Sequence, residues 1–81
     1  MGEPRRSIGD GTWEVGVDIE PGLYVALNVT DGYWERMSSF SGDDSTIAND
    51  FVSSAEQVMV EILPSDRAFK TVDCGTWEKR W

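Results

Sequence analysis

The chain contains no histidine and only one cysteine, Cys74. The first absence removes the commonest general base and metal ligand, and with them any Ser–His or Cys–His nucleophile pair. A lone cysteine excludes an internal disulfide and a thiolate zinc cage. Cations are scarce as well. Seven Lys+Arg stand against 15 Asp+Glu, a formal net charge of −8. Direct binding to nucleic-acid phosphate or to an anionic membrane is therefore disfavoured, because the charges share a sign. Long apolar runs are missing, so no segment reads as a signal peptide or a transmembrane helix. No apolar stretch follows Arg5-Arg6, and Arg6 stands where a myristoylation motif after Met1-Gly2 wants Ser or Thr. On these grounds the expected location is a cytoplasm, or an assembly built in one. The single thiol agrees with a reducing compartment.

Within 81 residues there is room for one domain with a small core. The apolar residues, 40% of the chain, fall in short alternating segments. In 12–17, Trp13, Val15 and Val17 share one face. In 23–29, Leu23, Val25, Leu27 and Val29 oppose Tyr24, Ala26 and Asn28. Residues 33–37, 57–63, 68–72 and 76–81 repeat the pattern. Period-two alternation rich in Val, Ile, Thr and aromatics predicts strands. Turn chemistry separates the segments: Gly9-Asp10-Gly11, Pro21-Gly22, Asp31-Gly32, Ser41-Gly42-Asp43-Asp44 and Pro64-Ser65-Asp66. Asp31-Gly32 reads as a hairpin between Val29 and Tyr33. One helical turn is a candidate over 43–54, where Ile47, Ala48, Phe51 and Val52 fall at helical spacing. Asn49-Asp50 and the β-branched content oppose it. The expected fold is all-β: a compact antiparallel sandwich or barrel of six to seven short strands, with 1–8 a flexible N-terminal arm and 9–81 one β-domain. Gly11-Thr12-Trp13-Glu14 is echoed by Gly75-Thr76-Trp77-Glu78. Common strand composition explains the echo. The sharper reading sets the first and last strands side by side.

Several of these words resemble a known family. Gly11-Thr12-Trp13-Glu14-Val15-Gly16 with Asp18-Ile19-Glu20-Pro21-Gly22-Leu23-Tyr24, then Tyr33-Trp34-Glu35-Arg36-Met37-Ser38, then Ile47-Ala48-Asn49-Asp50, and finally Cys74-Gly75-Thr76-Trp77 are similar in kind and order to a small β-domain. That domain occurs in actinobacterial secreted proteins and lipoproteins, with relatives in actinobacteriophages. The resemblance spans roughly residues 9–78 and implies a fold but no activity. It also implies a disulfide that this chain lacks. Cys74 matches one half-cystine, and Gly32 stands at the other. The lost bridge and the missing export signal together suggest a phage-encoded version, in a host cytoplasm or a virion and not secreted by a signal of its own.

Each candidate site has a plainer rival. Cys74 as a nucleophile lacks a base, and a leftover structural thiol is the better reading. Asp43-Asp44 and Asn49-Asp50 offer oxygens to a calcium ion, but their spacing is not that of a calcium loop, so solvated turn carboxylates are expected. Fifteen acids guarantee carboxylate pairs, which makes such a pair uninformative. Among Trp13, Trp34, Trp77, Trp81, Tyr24, Tyr33, Phe40, Phe51 and Phe69, the first three tryptophans are expected in the core. Trp81, flanked by Lys79 and Arg80, is the candidate exposed anchor for a partner. No catalytic residue, cofactor or metal site is implied. The leading function is a non-enzymatic protein–protein interaction or structural module, a virion accessory or host-protein binder. Alternatives are an acidic DNA mimic that inhibits a nucleic-acid enzyme, against which Arg36, Arg67, Lys70, Lys79 and Arg80 count, and a carbohydrate or cell-wall binding module.

Overall fold

A computed structural model describes residues 5–39 and 45–81. Among these, six strands and no helix form: β1 (Ser7–Ile8), β2 (Gly11–Glu14), β3 (Gly22–Met37), β4 (Thr46–Ile62), β5 (Ala68–Val72) and β6 (Trp77–Lys79). All pair antiparallel in one curled sheet of order β1-β6-β3-β5-β2, with β4 on the other side of β3. The all-β expectation holds. Candidate residues Phe40, Asp43 and Asp44 lie outside the described residues.

Two strands are long where short ones were expected. β3 has 16 residues and β4 has 17. A straight strand of that length would reach about 50 Å, yet the longest dimension of the molecule is 32 Å. The β3–β4 ribbon must therefore bend. It does so at Asn28 and Asp31, both with φ of 55°. Asn and Asp enter this left-handed region more easily than other side-chain-bearing residues. Pairing with β4 continues on either side, through Leu27–Gln57, Val29–Ala55, Thr30–Ser54 and Gly32–Val52. Asp31-Gly32 thus bends one strand instead of reversing the chain. Across the bend β3 changes its second neighbour, from β6 at Tyr24–Ala26 to β5 at Tyr33–Met37.

The helical turn proposed over 43–54 is overturned for its described part, because Thr46–Ser54 belong to β4. The spacing of Ile47, Ala48, Phe51 and Val52 fits a strand equally well: Val52 is buried opposite Gly32 while Ile47 and Phe51 point outward. Weak helix formers then follow the ladder that β3 offers. Residues 5–8, assigned from sequence to the arm, are held in place. Arg5 bridges to Ile19, β1 pairs with β6, and Ile8 is buried. The repeated Gly-Thr-Trp-Glu words do not lie side by side. β2 sits against β5 with Trp13 opposite Phe69, whereas β6 sits between β1 and β3 with Trp77 opposite Ile8 and Ala26. Val17 does not share the buried face of Val15, because the chain turns at Gly16–Asp18, where the Glu14 carbonyl accepts from Val17, Asp18 and Ile19 amides.

Trp77, Tyr24, Phe69, Ile8, Ile19 and Ile62 fill the concave side of the sheet. The rings of Phe69 and Trp77 meet edge to face at 5.3 Å, and Trp34 stacks on Phe69 at 6.4 Å. Burying one such aromatic is worth about 4–6 kcal/mol by area. Trp77 Nε1 donates to Thr71 Oγ1 at 2.7 Å inside this core. Trp13 is half-buried: its Nε1 donates to the Gly9 carbonyl at 3.0 Å, and the Arg5 guanidinium lies 5.1 Å from its ring. A bidentate pair closes the far end. Arg36 donates to Asp66 from Nε at 2.7 Å and from Nη2 at 3.0 Å, while Asp66 also accepts from the Leu63 amide. The hydrogen bond to Asp66 raises the Arg36 pKa. It docks the β4–β5 turn onto β3.

Candidate binding surface

β4 pairs with β3 along its length, and among the described residues no strand pairs with its other side. A long free edge presents unsatisfied backbone donors and acceptors, which proteins usually cover or blunt. Two large apolar side chains stand exposed beside this edge. Phe51 is 80% exposed and Met59 57%. The Phe51 ring rests on Tyr33, centroids 4.8 Å apart and planes tilted by 46°. Register sets Phe51, Tyr33 and Val72 in one row across β4, β3 and β5. A polar network fixes that row: Tyr33 donates its hydroxyl to Glu35 Oε1 at 3.0 Å and accepts from Asn49 Nδ2 at 3.1 Å. The other Glu35 oxygen accepts from the Thr46 hydroxyl. A shallow hollow of about 430 Å³ follows β4 from Asp50 to Met59, and one of about 370 Å³ lies between Asp31 and Phe51. The strand carries Asp50, Glu56 and Glu61 and no Lys or Arg.

The residues singled out from sequence occupy another place. Arg80 donates its amide to the Leu23 carbonyl and Trp81 accepts from the Leu23 amide, each at 2.7 Å, so the C-terminal segment runs along the start of β3. The Lys79 amide donates to the Arg6 carbonyl. This close approach depends on Gly22, whose φ is 152° and where a Cβ would come within 2.3 Å of the Trp81 carbonyl oxygen. The Trp81 side chain is 77% exposed and does not close the core. Arg80 lines a hollow of about 240 Å³ with Val25, Leu27, Thr76 and Glu78. Phe51 lies toward the other end of β3, opposite Tyr33. Sequence reasoning missed Phe51 because it assigned that residue to the apolar stripe of a helix. The signal available was strand alternation, which sets Ile47, Asn49 and Phe51 on one side and Val52 on the other.

Cys74 is 1% exposed, and its thiol donates to the Tyr33 carbonyl at 3.4 Å. A Cβ on Gly32 would stand 2.7 Å from its sulfur. The position implied by the family resemblance is thus within reach of a disulfide. Among the described residues no group of three or more Asp, Glu or Cys side chains could hold a metal ion. Asn49 is engaged by Tyr33, and Asp50 is exposed on β4.

No curated protein and no solved structure matches the chain. A comparison with family models corrects the expected location. The matched family is an extracellular domain, so a host cytoplasm does not stand. The lone thiol, which agreed with a reducing compartment, is buried, and a thiol shielded from oxidants reports little about its compartment. The family model, described as the Rv1352-like extracellular domain, covers residues 5–78, and the chain belongs to that family.

Proposed function

We propose that this domain is a non-enzymatic protein-binding module that acts outside the cell and takes an extended segment of its partner along β4. The observation that carries the reading is the 17-residue strand paired, among the described residues, on one side only, with Phe51 and Met59 exposed on it. Strand addition uses the backbone for affinity and the flanking pockets for specificity. The lack of histidine and the burial of Cys74 support a binding role over a catalytic one. Lys79, Arg80 and Trp81 form a second contact at the start of β3. A virion surface is also outside a cell, so the accessory role on a virion is compatible with this reading. The family match lends no support to a phage origin. The tilt between Tyr33 and Phe51 disfavours a flat sugar platform. Phosphate mimicry is disfavoured by Lys70 and Lys79, which interrupt the negative surface, and by a place outside the cell.

Selection of linear peptides from a random display library, followed by amide chemical-shift mapping, tests the reading. The expected result is shifts confined to β4 and its neighbours. Phe51→Ser should weaken capture about thirtyfold, as for an interface anchor, with little change in melting temperature. Peptides that map elsewhere, or a Phe51→Ser variant that binds normally, would overturn it.

A further inference from the structure

Resting on strand addition at β4, we infer that the incoming strand is cationic, an extended peptide carrying several Lys or Arg. Three observations lead there. First, β4 bears Asp50, Glu56 and Glu61 and no cation. Arg36 on β3 is held by both oxygens of Asp66 and also feels the charge of Glu61, whereas among the described residues no ion pair of Arg36 reaches Asp50 or Glu56, so these two carboxylates carry the argument. The other cations sit on β5 and β6, near their turns, or beside β1, beyond β3 from this edge. Second, Asp50, Glu56 and Glu61 are all exposed, whereas Val52, Ala55, Val58 and Val60 pack against the core. Directly paired side chains of an added strand lie about 5 Å from these carboxylates, close enough for opposite charges to attract. Third, the hollow from Asp50 to Met59 leaves space along the edge where such a strand would lie.

A second copy of this chain fits the same edge poorly. Antiparallel β4–β4 pairing would bring two strands of three carboxylates each together, in molecules whose net charge is −8. Like charges across a strand pair are destabilising. The charge on the page therefore selects a basic segment over self-association.

The probe is a peptide of about ten residues, long enough to span Asp50 to Met59, with lysines interspersed among valines. It is titrated into isotope-labelled protein at low salt, beside a version with glutamate for lysine and a version N-methylated on the amides that would face β4. The lysine peptide should shift β4 amides and bind at least about tenfold more tightly than the glutamate peptide. About 0.5 M salt should shrink that preference. N-methylation should abolish binding, and Asp50→Asn with Glu56→Gln should level the two peptides. Equal or tighter binding of the glutamate peptide at β4 overturns the cationic inference and leaves strand addition standing. Undiminished binding of the N-methylated peptide overturns it too, as general charge attraction. If no peptide perturbs β4, both readings fall. A dimer in sedimentation with β4 amides protected assigns the edge to a second copy, and the inference is wrong.

Discussion

Phe69 lies between two tryptophans whose indole nitrogens differ in their surroundings. Trp77 Nε1 meets Thr71 Oγ1, whereas Trp34 Nε1 is buried with no acceptor among the described residues. Losing a partner leaves a buried group unsatisfied at a cost of about 1–3 kcal/mol, while deleting an unpaired donor removes a penalty. Trp77→Phe should therefore destabilise the domain in urea titration by about 2 kcal/mol more than Trp34→Phe. Gly32 and Cys74 give a second test at this scale. Gly32→Cys, folded under mild oxidant, should form a disulfide with Cys74, seen as loss of free thiol and a gain of about 2–4 kcal/mol that reductant reverses. A free thiol that persists, with lowered stability, would mean that Val29, whose Cγ1 would lie 2.7 Å from the new Cβ, cannot yield.

At the scale of elements, the bend in the β3–β4 ribbon shows how far local signals reached. Asp31-Gly32 marked the right place, and Asp31 takes the left-handed conformation that a turn would use. What sequence could not show is that β4 continues opposite both halves of β3, so a reversal became a bend. Residues 68–72 stood out as β5 with their bounds intact, because their alternation is regular and turn chemistry at Pro64-Ser65-Asp66 precedes them. β4 was legible only from residue 57 onward, because its first half has polar residues on both faces and borrows its conformation from pairing with β3. A β-branched residue is strained at φ of 55°, so Asn28→Val and Asp31→Val should each cost about 1–2 kcal/mol. Glycine at either position should cost far less, since it takes positive φ without strain. Thermal unfolding of the four variants checks this, and equal losses for valine and glycine would show that the Asn and Asp side chains matter more than their backbone.

Across the whole molecule, the exposed contacts stand at two ends of β3: Phe51 opposite Tyr33, and Trp81 beside Leu23. Trp81→Ala should leave the melting temperature nearly unchanged, because its ring is largely in solvent while its carbonyl keeps the bond to Leu23. The same variant should weaken partner binding if the second contact is used; a fall of many degrees in melting temperature would instead return Trp81 to the fold. The strand class, the core tryptophan Trp77 and the absence of histidine chemistry follow from the sequence itself, because alternation and residue type act locally. Tertiary structure decided the rest. Which strands pair, which apolar side chains remain outside, and that Cys74 faces Gly32 all depend on residues far apart in the chain. The free edge of β4 is of this kind. No local pattern marks a strand as unpaired, since an edge is defined by the neighbour it lacks.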